Sequence, residues 1–491
     1  MAKYYITTPI YYITDKPHIG TAYTTVISDI IARWHRLCGD DVFFLTGTDE
    51  HGEKVQKASE RAGMQPKEFA DTMASKFSSA WKEYNITNDA FIRTTDRQHE
   101  SIVAEFIKKL YDAGDIYKGE YEGWYCTPDE TFLTELQLKD GKCPECGREV
   151  KKVKEESYFF RLSKYQDKLL ELYDKNPLFI SPKFRSGEII NRVKGGLKDI
   201  SVTRTTIKWG ITFPEDSNHT IYVWVDALVN YISALQWPDG GNMRFWPADA
   251  HIIGKEIAWF HTVIWPAMLF SAGIDAPKKI FSHGWWTVEG RKMSKSLGNM
   301  VDPIELKNKY GVDAIRYYFA REMPFGDDSD FSEKNLIARI NGELVDDLGN
   351  LVYRSLTLAE RFNGRIKGAP ELDKGLDVEH IKTLMTNIDT FNAIEEIWSQ
   401  VRRTNKYINE KQAWKLNGEE LGSVIYNILE SIRIISVLIG PFMPETAEKI
   451  RAQLGVDKQD ISHCKFSDFN GRIKKEGHLF NKIEKTQGMN A

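Results

Sequence analysis

The sequence predicts an α/β protein: a doubly wound parallel sheet carrying a small cysteine-bearing insertion, followed by an all-α helical bundle. Three observations carry that reading. Short β-branched and aromatic runs alternate with helical apolar periods over residues 1–115, the pattern of parallel strands joined by crossover helices. Around Tyr117 the texture changes to short aromatic strands and turns that bear Cys126, Cys143 and Cys146. After about Gly342 the strand patterns stop and long amphipathic periods replace them.

The first strand is read from Tyr4-Tyr5-Ile6-Thr7-Thr8, with Pro9 and then Thr14-Asp15-Lys16-Pro17 interrupting it. His18-Ile19-Gly20 opens a segment with apolar residues at Ala22, Val26, Ile27, Ile30 and Ile31, a helical period. A strand, a tight turn and a glycine at a helix start can offer backbone N–H groups to a phosphate. His18 can donate to phosphate oxygens, and a flat ring can lie on Gly20. Many ordinary strand–helix turns look the same, so this stretch takes its meaning from the rest of the chain.

A second buried strand is read over Val42–Gly47, ending in the loop Thr48-Asp49-Glu50-His51-Gly52. Helical patterns follow over about 54–84 and 99–113. Ligands of doubly wound sheets sit at the carboxyl ends of the strands, which is where Asp49 and His51 fall.

The whole chain has 491 residues, 42% hydrophobic and 28% charged, which predicts about three domains with a sizeable core. A net charge of −4 excludes a uniformly basic nucleic-acid coat but not local basic patches. The first residues lack the apolar core of a signal peptide, and no run approaching ~18 consecutive apolar residues is seen. A cytoplasmic protein is expected.

Cys126-Thr-Pro-Asp129 and Cys143-Pro-Glu-Cys146-Gly are two halves of a knuckle with like spacing. Tetrahedral Zn²⁺ accepts a carboxylate oxygen beside thiolates, so Cys126, Asp129, Cys143 and Cys146 can complete a four-ligand set. A redox pair and an inert knuckle are the other readings.

Buried-strand texture returns at Thr220, with Tyr222-Val-Trp224-Val-Asp226-Ala-Leu read as part of it, then Ala250–Lys255. An aromatic helix over Ile257–Phe270 sets His261 and Trp265 four apart, on one face. Such stripes are more often core than pocket, but a buried imidazole needs a partner. A last strand, Lys279–Gly284, leads to Gly290-Arg-Lys292-Met-Ser294-Lys295-Ser-Leu-Gly298-Asn299, a basic, hydroxyl-bearing loop. It reads either as a solvated turn or as a mobile clamp on a polyphosphate. Helical periods follow over 350–361, 393–409 and 421–438, with another helix after Pro444; no repeat or low-complexity tail is present.

His18-Ile-Gly20 on a first strand–helix turn, with Lys292-Met-Ser-Lys295-Ser far downstream, resembles the paired signatures of class I aminoacyl-tRNA synthetases. More narrowly, Thr8-Pro-Ile-Tyr-Tyr12, Gly47-Thr-Asp-Glu-His-Gly52, Tyr222-Val-Trp-Val-Asp-Ala227, the 257–266 helix and the knuckle, in that order, resemble the methionyl-tRNA synthetase family along the whole chain. The resemblance implies a Rossmann-type catalytic domain in two halves (1–115 and 221–286), a connective insertion with the zinc knuckle (116–220), a stem-contact region with the mobile signature loop (287–341) and an anticodon-binding bundle (342–491).

Residue by residue, the resemblance implies that Ile10, Tyr12, Trp224, Ala227, Leu228, Tyr231, Ile257, His261 and Trp265 form the methionine pocket and that Asp49 pairs with the α-ammonium. His18, Gly20, Thr21, Lys292, Ser294 and Lys295 would hold ATP with Mg²⁺, with His18, Lys292 and Lys295 catalytic. Asn350, Arg354 and Trp414 would read the anticodon of initiator and elongator tRNA(Met). Three positions depart from the family's pattern: Thr21 for a second His, Asp129 for a Cys, and Ala413 for a Pro. Rival readings are a related class I synthetase for Leu, Ile, Val or Cys, of which the first three carry a large editing insertion absent here and the last would use zinc in its amino-acid pocket, and a catalytically silent tRNA-binding relative. Leu479–Glu484 resembles the end of the family's core, so a monomer is expected.

Overall fold

The computed structural model describes residues 1–484 except 129, 134, 145, 289, 293–299 and 363–365. The chain divides into two compact units, residues 3–28 with 42–284, and residues 1–2 with 29–41 and 285–491.

In the first unit the main sheet has strands β1 (Lys3–Tyr12), β2 (Asp41–Asp49) and β3 (Ala90–Arg93), joined by β7 (Ile180–Ser181), β11 (Ala250–Gly254) and β12 (Ile280–His283). Their order is β3-β2-β1-β11-β12-β7, and the registers Ile6↔Ala250, Leu45↔Ala90, His251↔Ile280 and Ile280↔Ile180 are all parallel. This is the predicted doubly wound sheet. The chain order reverses between β1 and β11, so the carboxyl ends of those strands flank the switch-point crevice. Contrary to expectation, β1 runs through Pro9 to Tyr12. Its ladder to β11 is at Ile6 and Thr7, so the missing N–H of Pro9 lies beyond that register.

Helices α1 (Ile19–Leu37), α2 (Glu53–Ala62) and α3 (Pro66–Glu83) connect the first three strands, and α4 (Arg97–Asp112) follows β3. The single pattern predicted over 54–84 is two helices: Gly63 caps α2 in the left-handed region and Pro66 starts α3.

The insertion forms a second sheet, β4 (Ile116–Cys126), β5 (Thr131–Leu133), β6 (Lys151–Phe160) and β8 (Ile200–Ser201), antiparallel throughout. Helices α5 (Gln166–Lys175) and α6 (Ser186–Lys194) flank β7, and β9 (Thr203–Arg204) pairs with β10 (Thr220–Ile221).

Tyr222–Leu228, expected as strand, is instead the start of helix α7 (Val223–Ser233). The helix is buried nearly all round, so its sequence shows no polar face to betray a helical period. The aromatic helix is irregular: its Phe260–Ile264 turn is widened to i→i+5 bonding before α8 (Trp265–Ser271).

The second unit holds β13 (Trp286–Val288), which pairs with β14 (Arg291–Lys292) and, in parallel, with β15 (Ser329–Phe331). Helices follow: α9 (Pro303–Tyr310), α10 (Val312–Arg321), α11 (Glu333–Arg339), α12 (Asn350–Glu360), α13 (Val378–Thr386), α14 (Thr390–Glu410), α15 (Gly418–Leu438) and α16 (Pro444–Leu454). By length and mean hydropathy α15 could cross a membrane, though it is no unbroken apolar run, and 94% of that window is buried inside the protein. It is the core helix of the bundle. Within this unit Arg316 of α10 is fully buried, donating to Asp29 at 2.8 Å and to the carbonyls of Pro441 and Phe442.

Candidate active site

At the opening stretch, the start of α1 satisfies its own backbone. His18 Nδ1 accepts from the Gly20 N–H at 3.1 Å, while Thr21 Oγ1 accepts from the His18 N–H at 3.1 Å and donates to the His18 carbonyl at 2.8 Å. This resembles a capping box: the His18 ring serves the N–H of the second helical residue, and the third, Thr21, reaches back to the N–H of His18. Burial lowers the His18 pKa against the pull of Asp15 and Glu256, so a neutral ring with its proton on Nε2 suits the geometry. One turn on, Thr24 Oγ1 lies 2.8 Å from His283 Nε2 at the end of β12. Lys292 ends β14; its side chain, Ser294 and Lys295 lie outside the described residues.

Asp49, the last residue of β2, is 3% exposed, and its Oδ1 has no hydrogen-bond partner. Burial, then the charges of Asp226 and Glu130, raise its pKa well above the ordinary carboxylate range. A buried carboxylate with a free oxygen among other acids is a site for a cation.

Around it the predicted pocket residues fall into two groups. Tyr12, at the end of β1, meets Trp224 edge-on with ring centroids 6.4 Å apart, and Trp224 stacks on Phe260 at 4.0 Å. Tyr231 bonds His261 Nε2 at 2.7 Å, packs near Trp265 at 6.1 Å and stacks on His251 at 4.0 Å. Trp224, Ala227, Leu228 and Tyr231 recur at i, i+3, i+4 and i+7 of α7, one face of that helix. Ile10 is half-buried on β1, and the Ile257 carbonyl accepts from His261 Nδ1 at 2.9 Å. Burial drives the His261 pKa down to about 4.

Two buried acids in this region escaped the sequence reading. Asp226 sits between two imidazoles, Oδ2 to His51 Nδ1 at 2.6 Å and Oδ1 to His99 Nε2 at 2.7 Å, and His99 Nδ1 lies 2.7 Å from Ser233 Oγ. Burial pushes Asp226 up, but the two rings hold it below the ordinary carboxylate range; His51 is raised in return. Glu130, beside Asp129, accepts from the Tyr12 hydroxyl at 2.6 Å and from the Lys54 N–H in the first turn of α2 at 3.0 Å. Gly52, at φ 96°, leaves room for it: a Cβ there would come within 2.9 Å of the Glu130 carboxylate. Asp226 lies inside a motif already noted, and Glu130 beside an expected ligand, but nothing in the sequence marks either as buried.

The Sγ atoms of Cys126, Cys143 and Cys146 lie within 4.8 Å of one another, with Cys126 and Cys146 3.5 Å apart. None of the three forms a disulfide, and Cys126 and Cys143 are buried. Three converging sulfurs that form no disulfide suit a tetrahedral thiolate-bound ion. Asp129 lies outside the described residues.

In the second unit Asn350 begins α12, Arg354 donates to Asn409 Oδ1 near the end of α14 at 3.0 Å, and Trp414 follows with 45% of its surface exposed.

Comparison with known proteins bears on what this arrangement does. The family model described as "tRNA synthetases class I (M)" matches residues 4–153 and 149–356. A methionine–tRNA ligase of Caldanaerobacter subterraneus is 50% identical, across 98% of this chain and 79% of its own length; that of Bacillus subtilis is 46% identical across 93% and 74%. The structure of Mycobacterium tuberculosis methionyl-tRNA synthetase with methionyl-adenylate superposes with a TM-score of 0.93 at 41% identity, covering 98% of this chain and 100% of that one. A buried acid with a free oxygen beside an aromatic pocket at a sheet's switch point is thus found on a chain that belongs to the class I tRNA synthetases, in the methionyl-tRNA synthetase family.

Proposed function

We propose that this enzyme activates methionine through the residues gathered around Asp49 and transfers it to tRNA(Met). The methionine carboxylate attacks the α-phosphorus of ATP and pyrophosphate leaves; the 2′-hydroxyl of the terminal adenosine then attacks the adenylate carbonyl, releasing AMP. A carboxylate is already a nucleophile, so the first step needs positioning and charge stabilisation rather than a general base.

The unpartnered Oδ1 of buried Asp49 carries the reading. An α-ammonium there supplies the missing cation, and Tyr12, Trp224, Tyr231, His261 and Trp265 offer aromatic walls suited to a polarizable thioether. An apolar pocket separates side chains differing by one methylene by only ~1–3 kcal/mol, so the polar Tyr231–His261 pair is the discriminating element. By the family resemblance His18 and Gly20 would bind the nucleotide, and Lys292, Ser294 and Lys295 would act on its phosphates with Mg²⁺. Binding ATP at the α1 start exchanges the internal Gly20–His18 bond for bonds to phosphate.

Cys126, Cys143 and Cys146, with Asp129, would hold one structural Zn²⁺. Asn350, Arg354 and the exposed Trp414 would read the anticodon, the tryptophan by stacking a splayed base. Pyrophosphate exchange with a panel of amino acids tests the first step and tRNA charging tests the second. Exchange that depends on methionine alone is expected; exchange with another amino acid, or none, overturns the reading.

A further inference from the structure

Among the described residues, the aromatic side chains with the greatest exposure are Trp414 and Phe184, the latter at 64%. Phe184 belongs to the first unit, in the turn Lys183–Arg185 that directly follows β7. Because β7 is parallel to β12, in the register Ile280↔Ile180 and Phe281↔Ser181, this turn emerges at the carboxyl edge of the sheet. That is the edge at which Asp49 ends β2 and His283 ends β12.

Its surroundings connect it to the start of α1. The Arg185 guanidinium lies 5.0 Å from the centre of the Phe184 ring. Burial lowers the His283 pKa against the pull of the Gly284 carbonyl and the Glu256 charge, with a smaller push in the same direction from Arg185. His283 bonds Thr24, whose hydroxyl also reaches the Gly20 carbonyl at 3.1 Å. The segment from Asn176 to Lys194 carries Lys183, Arg185, Arg192 and Lys194 against a single acid, Glu188.

An exposed apolar side chain alone needs no explanation. A ring attended by a guanidinium, in a basic segment on the reacting edge, is different. Unpaired bases are held by such a combination, the ring and guanidinium planes supplying stacking surfaces and the cations meeting phosphates. A folded protein partner would call for a wider apolar patch than Phe184 and the exposed Leu178 of the same segment.

We propose that Lys183, Phe184 and Arg185 form a stacking platform for the unpaired 3′ end of the tRNA as it approaches the adenylate. This rests on the synthetase reading above and deepens it by assigning the path of the acceptor end. Stacking is tolerant of base identity, as a terminus shared by many tRNAs requires.

The test compares Phe184→Ala and Phe184→Trp in methionine-dependent pyrophosphate exchange, which needs no tRNA, and in charging of a tRNA(Met) transcript. With Phe184→Ala, kcat/KM for tRNA is expected to fall about tenfold or more, the scale of one lost base stack, while exchange holds and Phe184→Trp retains charging. Binding of a transcript trimmed of its single-stranded 3′ end should not distinguish Phe184→Ala from the unaltered protein. Unchanged charging by Phe184→Ala, a parallel fall in exchange, or an equal loss with the trimmed transcript overturns the platform. Absence of exchange in the unaltered protein would overturn the synthetase reading instead, so the two failures are distinguishable.

Discussion

The Tyr231 hydroxyl donates to His261 Nε2 at 2.7 Å because the other ring nitrogen is committed to the Ile257 carbonyl at 2.9 Å. With burial holding the ring's pKa near 4, His261 stays neutral and its tautomer is set by the backbone. Tyr231→Phe therefore leaves Nε2 buried and unpaired. The expected result is a rise of about tenfold in KM for methionine, the scale of an unsatisfied buried acceptor, with KM for ATP unchanged. Through the range where an ordinary histidine titrates, methionine KM should show no inflection from His261.

Asp49 predicts the opposite pH behaviour. Its raised pKa means that the ionised form needed for the α-ammonium is lost as pH falls through that value, so KM for methionine should climb on the acid side. Removing the charge with Asp49→Asn should flatten that limb and lower kcat/KM by about 100-fold or more, as for truncation of a buried charge pair.

The same substitution bears on stability. A carboxyl whose folded pKa lies above its unfolded value costs the fold stability in full above the folded pKa; the cost shrinks as pH falls through that value and is gone only below the unfolded pKa. Without substrates near neutral pH, Asp49→Asn should raise Tm by about 2–4 °C for each kcal/mol recovered. A lower Tm in scanning calorimetry would count against a destabilising buried carboxyl at this position.

Thr21 is expected to matter to α1 before it matters to any ligand. Its hydroxyl both donates to and accepts from His18, so Thr21→Ala should cost about 1 kcal/mol by chemical denaturation, as for other lost caps. Thr21→Ser keeps the hydroxyl and should stay close to the unaltered protein. Thr21→His removes the cap while adding a cation near the nucleotide, so a gain in pyrophosphate exchange accompanied by lower stability is expected.

For the knuckle, metal analysis of the purified protein should find about one Zn²⁺ per chain. Cys143→Ala should abolish it, and Asp129→Ala should lower it if the carboxylate is the fourth ligand. A strong chelator should lower Tm. Full occupancy in Cys143→Ala would place any zinc elsewhere.

Much of the first unit was legible because its signals are local. The β1 turn, His18, the end of β2 at Asp49 and the paired cysteine knuckle all declare themselves within a few residues. Features that depend on burial did not. The start of α7 looked like a strand because a helix buried on nearly every side has no polar stripe. The Asp226 bridge joins His51 and His99, distant in the chain by 175 and 127 positions, and no periodicity reports such a contact. Glu130 was overlooked for the same reason, its partners Tyr12 and Lys54 being supplied by other elements. The aromatics proposed to face the thioether were assigned by resemblance alone, since an aromatic stripe by itself reads equally as core.

The buried Arg316 has a consequence for the order in which the protein is made. Asp29 leaves the ribosome 287 positions before Arg316, and the Phe442 carbonyl follows Arg316 by another 126. At ordinary synthesis rates the first interval lasts about 15 to 60 s, during which Asp29 lacks its long-range cation. Arg33, one turn away and bonded to the same carboxylate at 2.7 Å, is present from the start. It acts as a placeholder: a local counter-ion keeps the nascent helix charge-balanced until the distant arginine arrives.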